Sequence, residues 1–395
     1  MSVSLWQDRS KTSNSAISEF DIVIIGGGIA GVSTAYWLIQ ENEGLKIALV
    51  EKGQLAEGAT GRNAGFITCG SVEHFNRLVG KHGAKEALEI WKFSEDNLAL
   101  LQEHIIKGSA ADIQFEKNGS FSLASTEEEF IELKKSYEIM KELGIEVEVL
   151  GQEAIENRLN ASGFVGGIKY INDASVHPVL LLDKIYDQFR DDKNFTLLEN
   201  SEVFNIEQVG ENKRVHTKSG RLDTPIVIMA TNGYSAQLHP FFEDKIYPTR
   251  GQILATEPLP KLLEGPCYAN FVLDYFRQTP TGEIVIGGFR QLKKDTEVGY
   301  SDEVTDVIQE ALEDFLKKHI PSIKENKITH RWSGIMGFSA DGQPMVGAIP
   351  SDPQVYFIGG FTAHGMGLAF NCGKCLVDVL FDREIPSFIS AKRFA

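Results

Sequence analysis

The sequence predicts an α/β fold in two parts: a discontinuous domain built on a parallel sheet, and an inserted α+β domain built on an antiparallel sheet. Three observations predict it. A buried, β-branched run at residues 20–25 leads into a glycine-rich turn and a helix, as in a β-α-β unit. Residues 246–290 contain β-rich segments at a spacing that is typical of antiparallel strands. A strand at residues 355–358 leads into another glycine-rich turn and helix, so the first domain resumes near the C-terminal end.

The composition is that of a globular protein, and it argues against several kinds of partner. A length of 395 residues suits two joined domains. The net charge of −16 disfavours nucleic acid and anionic membranes, since both would repel the chain. No apolar run approaches the ~20 residues of a membrane span. The first 19 residues lack the apolar stretch of a secretory signal, so we expect a cytoplasmic protein.

The four cysteines predict neither a disulfide scaffold nor a metal site. They are too few for a scaffold in a chain of this length. Cys372 and Cys375 form a lone C-x-x-C, whereas a zinc site would need a second pair or histidines at ligand spacing. We therefore predict no metal and interpret the pair as two packed thiols, with a redox role as the alternative.

The segment GGGIAG has the G-x-G-x-x-G spacing of a dinucleotide-binding turn. Gly26 would make the tight turn, Gly28 would let the backbone approach a pyrophosphate, and Gly31 would let the helix pack closely on the strand. A second strand at residues 46–50 ends in Glu51, which follows Gly31 by 20 residues. An acid at that distance bonds a ribose hydroxyl in such folds, so this unit predicts a Rossmann-like nucleotide-binding domain.

The remaining elements follow from periodicity and capping. Helical spacing, or the capping box formed by Thr126 and Glu129, predicts helices at residues 32–40, 83–107, 126–143, 179–189 and 302–318, and one that ends near 381. Runs of β-forming residues predict strands at 119–124, 203–206 and 225–229.

Four further stretches place glycines where a ligand or another backbone comes close. They are EGATGRNAGF at residues 57–66, ATNG at 230–233, RWSGIMGFSADGQPMVG at 331–347 and GGFTAHGMG at 359–367. In the third stretch, Gly342 permits a positive φ in a turn. The fourth is a strand-to-helix turn, whose free N–H groups and positive helix end suit ligand oxygens.

In this order, the motifs resemble the D-amino-acid-oxidase superfamily of FAD-dependent oxidases, which includes glycine and sarcosine oxidases. Three stretches are most similar to γ-glutamylputrescine oxidases: VHP at 176–178, LDYFR at 273–277 and GRN at 61–63. The resemblance implies FAD as cofactor, a small-molecule amine as substrate and oxygen as electron acceptor, with an imine and hydrogen peroxide as first products. We find no second dinucleotide fingerprint, which argues against enzymes that reduce FAD with a nicotinamide in the same subunit. The oligomeric state stays open.

The resemblance also implies a division into domains and a set of cofactor-binding residues. The predicted domains are an N-terminal extension at 1–19, an FAD-binding domain at 20–82, 174–240 and 326–395, and a substrate domain at 83–173 and 241–325. The predicted cofactor-binding residues are Gly26, Gly28, Ile29, Ala30, Gly31, Glu51, Lys52, Arg62, Asn63, Ala64, Gly65, Val203, Ala230, Thr231, Asn232, Gly334, Gly360, Phe361, His364, Gly365, Met366 and Gly367.

The resemblance also indicates that this chain lacks two residues that bind the substrate carboxylate in related oxidases. In the amino-acid oxidases, an arginine before the D-G-x-P turn grips the substrate carboxylate, and Met336 stands there. In the sarcosine oxidases, a lysine after the G-F-x-x-H-G run helps, and Gly367 stands there. The cysteine that carries covalent FAD in the sarcosine oxidases has no counterpart at residues 334–339, so we predict non-covalent FAD. The implied substrate is an amine without an α-carboxylate, such as a polyamine derivative.

The predicted substrate pocket is an apolar slot formed by Met336, Phe338, Tyr275 and Phe289, with Met366 beside it. Arg250 is a further predicted member of the pocket. His364 is the candidate catalytic residue, with a hydrogen-bonded structural role as its alternative. Arg250 either packs near the flavin or organises the sheet. A different reading keeps Met336 as core packing.

In that reading Arg250, Arg277 or Arg290 anchors a carboxylate, and the protein is an amino-acid oxidase or dehydrogenase. A third reading, from another class, is a non-catalytic flavin-binding subunit of an assembly.

Overall fold

The computed structural model describes residues 17–271, 273–323 and 325–394. Of the predicted N-terminal extension, residues 1–16 lie outside the described residues. The helices are α1 (Ile29–Glu41), α2 (Val72–His82), α3 (Ala84–Leu101), α4 (Glu127–Glu142), α5 (Gln152–Leu159), α6 (Pro178–Tyr186), α7 (Asp306–His319) and α8 (Ala369–Leu380). In the described part of the chain, no helix combines the length and the apolar character needed to cross a bilayer.

The strands are short, apart from two long ones. They are β1 (Ile17–Glu19), β2 (Ile22–Ile25), β3 (Ile47–Val50), β4 (Phe66–Ile67), β5 (Ser120–Ala124), β6 (Val147–Gly151), β7 (Gly166–Tyr170), β8 (Ala174–Ser175), β9 (Phe195–Leu198), β10 (Val203–Val209), β11 (Asn212–Thr217), β12 (Arg221–Thr224), β13 (Ile226–Met229), β14 (Ile246–Thr256), β15 (Cys267–Ala269), β16 (Asp274–Gln278), β17 (Ile284–Gly287), β18 (Ile328–Ser339), β19 (Met345–Ile349) and β20 (Asp352–Gly359).

The chain divides into two compact units. Unit 1 contains the described residues of 17–61, 182–249 and 336–394, and unit 2 contains those of Arg62–Leu181 and Arg250–Ile335. The domain boundaries predicted from the sequence stay a prediction.

Unit 1 is built on a sheet of strand order β19-β20-β13-β2-β3-β9. The pairs from β20 to β9 are parallel, and β19 adds an antiparallel edge. β2 and β3 are buried throughout, which explains their uninterrupted apolar sequences. α1 packs against α8, where the indole N–H of Trp37 donates to the carbonyl of Phe370 at 2.9 Å. A second sheet in unit 1 has the order β1-β12-β11-β10.

Unit 2 is built on a mixed, mainly antiparallel sheet of order β18-β14-β17-β16-β15-β5-β7-β6. Because successive side chains point to opposite faces, the sheet carries two different apolar surfaces. One surface, with Leu254, Phe276 and Ile286, packs against Leu312 and Leu316 of α7. The other surface, the loop-side cluster, contains Ala64, Ile253, Ala255 and Val285, with Phe66, Tyr275 and Trp332 packed against it.

Several predicted elements have different bounds in the structure. The helix predicted at 83–107 is confirmed as α3, which begins directly after Gly83 at φ 81°, whereas the preceding helix α2 was not predicted. α3 continues into a π-helical turn at Gln102–Ile106. The helix predicted at 302–318 begins only at Asp306. The capping box is confirmed at its first half, since Thr126 Oγ1 accepts from the N–H of Glu129 at 3.2 Å and opens α4.

Candidate active site

The fingerprint turn of unit 1 has a backbone that tolerates only glycine at two positions. Gly26 has φ 115°, and a Cβ there would lie 2.6 Å from the carbonyl oxygen of Ala230. A Cβ on Gly31 would lie 2.0 Å from the carbonyl oxygen of Gly26, so the start of α1 packs directly on the turn. Around Gly28, by contrast, an added Cβ would meet only the hydroxyl of Thr60, at 3.1 Å. The backbone is therefore tightly packed at Gly26 and Gly31, whereas Gly28 has space beside it that a ligand could occupy.

The loop between β3 and unit 2 fixes this turn through two side chains. Glu51 is 9% exposed, and its Oε2 accepts from the N–H of Gly27 at 2.7 Å. Its Oε1 accepts from the N–H of Gly53 at 3.0 Å. Each carboxylate oxygen keeps further acceptor capacity, so Glu51 is held where a ribose hydroxyl could donate to it. The hydroxyl of Thr60 accepts from the N–H of Ile29 at 2.9 Å.

Lys52 and Val203 lie at the edges of this region. The ammonium of Lys52 lies 3.9 Å from the ring centroid of Tyr234, a cation–π contact. Val203 opens β10, and its side chain packs in the core of unit 1. A contact between Val203 and the cofactor would therefore have to come from its main chain.

Asn232 joins the ends of three strands of unit 1. It follows β13 with φ 44°, and its Oδ1 accepts from the N–H of Gly360 at 3.0 Å. A Cβ on Gly337 would lie 2.4 Å from that oxygen, and a Cβ on Gly359 would lie 3.1 Å from the Cα of Asn232. Within unit 1, the structure thus brings together stretches that the sequence marked separately, namely ATNG, the end of β18 and the turn after β20. Ala230 and Thr231 lie at the same strand end.

The turn after β20 has a strained backbone. Thr362 has φ 48° and Ala363 has φ 70°. A β-branched residue in the left-handed region costs roughly 1–3 kcal/mol and persists only where neighbours hold it. Here the N–H of Thr362 donates to the carbonyl of Gly337 at 2.9 Å, and the hydroxyl of Thr362 accepts from the N–H of Ser339 at 3.2 Å. The end of β18 therefore fixes the turn that presents His364.

The hydrogen bond of His364 determines its tautomer. Nδ1 of His364 lies 2.8 Å from the carbonyl oxygen of Thr362. A carbonyl only accepts, so Nδ1 carries the proton in the neutral ring. Burial lowers the pKa of His364 below its ordinary value, which favours the neutral form at pH 7. Gly365 and Gly367 bound the short 3₁₀ turn that follows, and Met366 and Phe361 are both buried.

The apolar residues predicted for the substrate divide between the two units. Met336 and Phe338, at the end of β18, are half-buried in unit 1, and Phe338 forms a bridge with Phe361. In unit 2, Tyr275 packs with Phe66, with ring centroids 5.8 Å apart. Burial raises the pKa of Tyr275 to about 12, so it stays protonated.

Two members of the predicted substrate pocket have their main contacts elsewhere in the structure. Arg250 is 6% exposed, and its Nε and Nη2 donate to the two carboxylate oxygens of Glu297 at 2.9 and 3.0 Å. Its Nε and Nη2 are thus committed to the sheet. Phe289 has φ 57°, which turns its ring onto Phe315 of α7, with ring centroids 5.7 Å apart. It therefore lies on the opposite face of the sheet from Tyr275.

The GRNAG loop of unit 2 is held by polar contacts on both sides. Arg62 donates from Nη1 to the carbonyl of Ser333 at 3.0 Å and accepts, through its own carbonyl, from the indole of Trp332 at 3.0 Å. A Cβ on Gly334 would lie 2.9 Å from the Cβ of Arg62, which explains the glycine there. Arg62 thus supports the loop. Asn63 Oδ1 accepts from the N–H of Gly65 at 2.7 Å, which shapes the turn.

A buried carboxyl group lies where this loop joins the sheet of unit 2. Asp173 precedes β8, which pairs with β4. It is 1% exposed and accepts from the N–H of Cys69 at 3.1 Å and from the hydroxyl of Ser120 at 2.6 Å. Burial raises the pKa of Asp173 to about 8, and the nearby charge of Glu95 adds to the effect. Asp173 is therefore largely neutral at pH 7.

Comparison with known proteins identifies the family. The family described as FAD dependent oxidoreductase (DAO) matches residues 21–379. The chain belongs to this family. The superfamily predicted from the motifs is thereby confirmed, and the protein is an FAD-dependent oxidoreductase.

Relatives in this DAO family cover most of the chain. "Probable oxidoreductase OrdL" of Rhizobium meliloti is 27% identical, over 95% of this chain and 88% of the relative. Glycine oxidase of Bacillus subtilis is 26% identical, over 93% and 94%. Gamma-glutamylputrescine oxidoreductase of Escherichia coli is 23% identical, over 91% and 83%. The crystal structure of glycine oxidase from Geobacillus kaustophilus superposes with a TM-score of 0.80 at 22% identity, covering 94% of this chain and 96% of that one. This likeness confirms the predicted fold class.

The described residues of unit 1 fit the FAD of the DAO family. The open side of Gly28 leaves room for a pyrophosphate, and the fixed carboxylate of Glu51 suits a ribose. Which residues contact FAD, and that the bond is non-covalent, stay predictions. Sequence reasoning missed Thr60, whose signal was a threonine in a glycine-rich loop, a residue type that often bonds helix N-termini.

Proposed function

We propose that the protein is an oxidase of primary or secondary amines, with polyamine derivatives such as γ-glutamylputrescine as the candidate substrate class. The amine would be converted to an imine, which hydrolyses to an aldehyde plus ammonia or a smaller amine. FAD, when bound, supplies the oxidising equivalents, and oxygen is the proposed final acceptor, reduced to hydrogen peroxide. The E. coli relative named as a gamma-glutamylputrescine oxidoreductase supports the substrate class.

One observation carries this proposal. The end of β18, which in unit 1 packs on Asn232 and holds the strained turn of Thr362, presents the uncharged side chain of Met336. Met336 is half-buried, and a thioether makes adaptable apolar contacts but no bond to a carboxylate. Phe338 and Met366 in the same unit are also apolar. Such surroundings favour an alkyl amine chain over an amino acid.

The chain's own residues would act on protonation and position. An apolar site disfavours an ammonium ion, so it lowers the pKa of the bound amine and raises the share of the uncharged form that can be oxidised. His364 would be neutral there, with its proton fixed on Nδ1 by Thr362. A rigid neutral imidazole can orient a ligand or stabilise a developing charge without first having to lose a proton.

A substrate panel tests the proposal. The purified, FAD-loaded chain is mixed with primary amines, secondary amines, polyamine derivatives, glycine, sarcosine and D-amino acids, and peroxide release is recorded in air. We expect amines without an α-carboxylate to have the highest kcat/KM. Faster peroxide release with glycine or D-amino acids would instead make the protein an amino-acid oxidase.

The same panel without oxygen tests catalysis itself. Substrate should bleach the visible absorbance of the oxidised flavin in the isolated chain. If no compound bleaches it, the chain is a flavin-binding subunit rather than a complete enzyme. If bleaching is fast but oxygen restores the colour slowly, the protein is a dehydrogenase that uses another acceptor.

A further inference from the structure

Arg277 is a buried arginine of unit 2 with unused hydrogen-bond donors. It lies in β16, two residues from Tyr275 and therefore on the same face of the sheet. It is 3% exposed, and its Nη2 donates to the carbonyl of Val176 at 2.8 Å. Its Nε and Nη1 are shielded from solvent and have no hydrogen-bond partner among the described residues. A guanidinium carries five N–H donors, so the donors on Nε and Nη1 are available for a ligand.

Other arginines of unit 2 are matched by glutamates. Arg158 donates to Glu264, Arg331 donates to Glu313, and Arg250 is paired with Glu297 as described above. Within the described ranges, Arg277 has no ion pair. Glu116 is close enough to stabilise its charge, but that carboxylate is bonded to Lys261, with Nζ 3.1 Å from Oε1. A buried cation without a counter-ion is unfavourable, and its retention points to a use.

The backbone around Arg277 holds the guanidinium in a fixed place. A Cβ on Gly65 would lie 2.9 Å from Nη2 of Arg277, so the guanidinium packs directly against the backbone of this glycine. The carbonyl of Gly65 accepts from the N–H of Val176 at 2.9 Å, and that residue's own carbonyl holds Nη2. One edge of the guanidinium is thus anchored, and the Nε and Nη1 donors are left pre-positioned.

We propose that Arg277 is a buried anion-binding residue of unit 2 that holds a carboxylate of the amine substrate. This inference rests on the proposed function. Burial lowers the pKa of Arg277 to about 10, so it remains a cation at neutral pH, and low solvent access strengthens its attraction for an enclosed carboxylate.

Paired substrates test the proposal with the FAD-loaded full chain. Unbranched ω-amino acids of increasing length are compared with alkylamines of the same length. At the best length, the carboxylate should raise kcat/KM by about 30-fold or more, as expected for a charged hydrogen bond. Arg277→Met should remove this advantage while changing the alkylamine kcat/KM by less than about threefold. Arg277→Lys should retain part of it, and Arg331→Met, a control at an exposed arginine, should retain all of it.

Two results would overturn the proposal. One is a wild-type enzyme with no preference for the carboxylate at any length. The other is an Arg277→Met enzyme that loses activity equally on both series, as a purely supporting role of Arg277 would produce.

An equilibrium measurement covers the case in which Arg277→Met does not fold or no amine is oxidised. Wild-type protein is titrated with hexanoate and with hexanamide, and the change in flavin absorbance is recorded. Hexanoate should bind at least tenfold more tightly, and equal binding would refute the anion site. Because this readout needs no turnover, it separates failure of the anion site from failure of the proposed amine oxidation.

Discussion

Replacing Asp173 with asparagine should flatten the pH dependence of the protein's stability. Asp173 is buried, and its carboxyl group accepts from Cys69 and Ser120. Burial raises its pKa from an ordinary value of 3.8 to about 8 in the folded chain. Between these values the unfolded chain has lost the proton and the folded chain has kept it. The stabilisation that Asp173 contributes is therefore fully present below pH 3.8. It decreases as the pH rises and reaches its lower level above about pH 8.

The size of the effect follows from the width of this window. Each pH unit inside it lowers the free energy of unfolding by up to about 1.4 kcal/mol, so the whole window amounts to about 6 kcal/mol. Asparagine is close in shape, accepts from the N–H of Cys69, and donates to the hydroxyl of Ser120 without titrating. Asp173→Asn should therefore match the wild type most closely at low pH and exceed it in stability by several kcal/mol near pH 8.5.

Chemical unfolding at a series of pH values from 5 to 8.5 measures this difference. Groups that titrate in the same way in both proteins cancel in the comparison. Asp295→Asn, at an exposed carboxylate, serves as the control and should reproduce the wild-type slope. Parallel curves for wild type and Asp173→Asn would show that the folded chain carries Asp173 ionised, and the reasoning from burial would be wrong.

Two further predictions concern the site. Met336→Arg should place a fork of donors at the end of β18 and raise kcat/KM for glycine or D-alanine, relative to alkylamines, by about tenfold or more, measured by peroxide release. An unchanged ratio would place Met336 outside the substrate site. His364→Ala should lower kcat or the rate of flavin reoxidation by about tenfold or more, measured by stopped-flow absorbance. Wild-type values for both rates would leave His364 a purely structural role.

The sequence predicted those features that depend on short-range spacing. The turn at Gly26 and Gly31, the acid at Glu51 and the cap at Thr126 each follow from residues a few positions apart, or from one β-α-β unit. The positive φ at Gly342 is also confirmed, at 84°. The helix predicted at 83–107 corresponds to α3 and its π-helical continuation, whereas α2 at Val72–His82 was missed.

Contacts between distant residues could not be predicted in this way. Arg250 reads as a free cation in the sequence because its partner Glu297 lies 47 residues away. Phe289 was assigned to the wrong face because its positive φ reverses the strand alternation at that point. The glycine break at Asn232 was visible, but its bond to Gly360 spans 128 residues. Arg277 was one of three arginines considered as anchors, and only the structure shows that its Nε and Nη1 are buried without a hydrogen-bond partner among the described residues.

The contacts of Asn232 set an order in which parts of unit 1 can form during synthesis. Gly26, Asn232, Gly337 and Gly360 are synthesised far apart in time, and the strained turn of Thr362 needs β18 to hold it. A chain still growing on the ribosome contains the fingerprint turn early but lacks the contacts of Asn232. This part of unit 1 can form only after Gly360 and Thr362 have been synthesised.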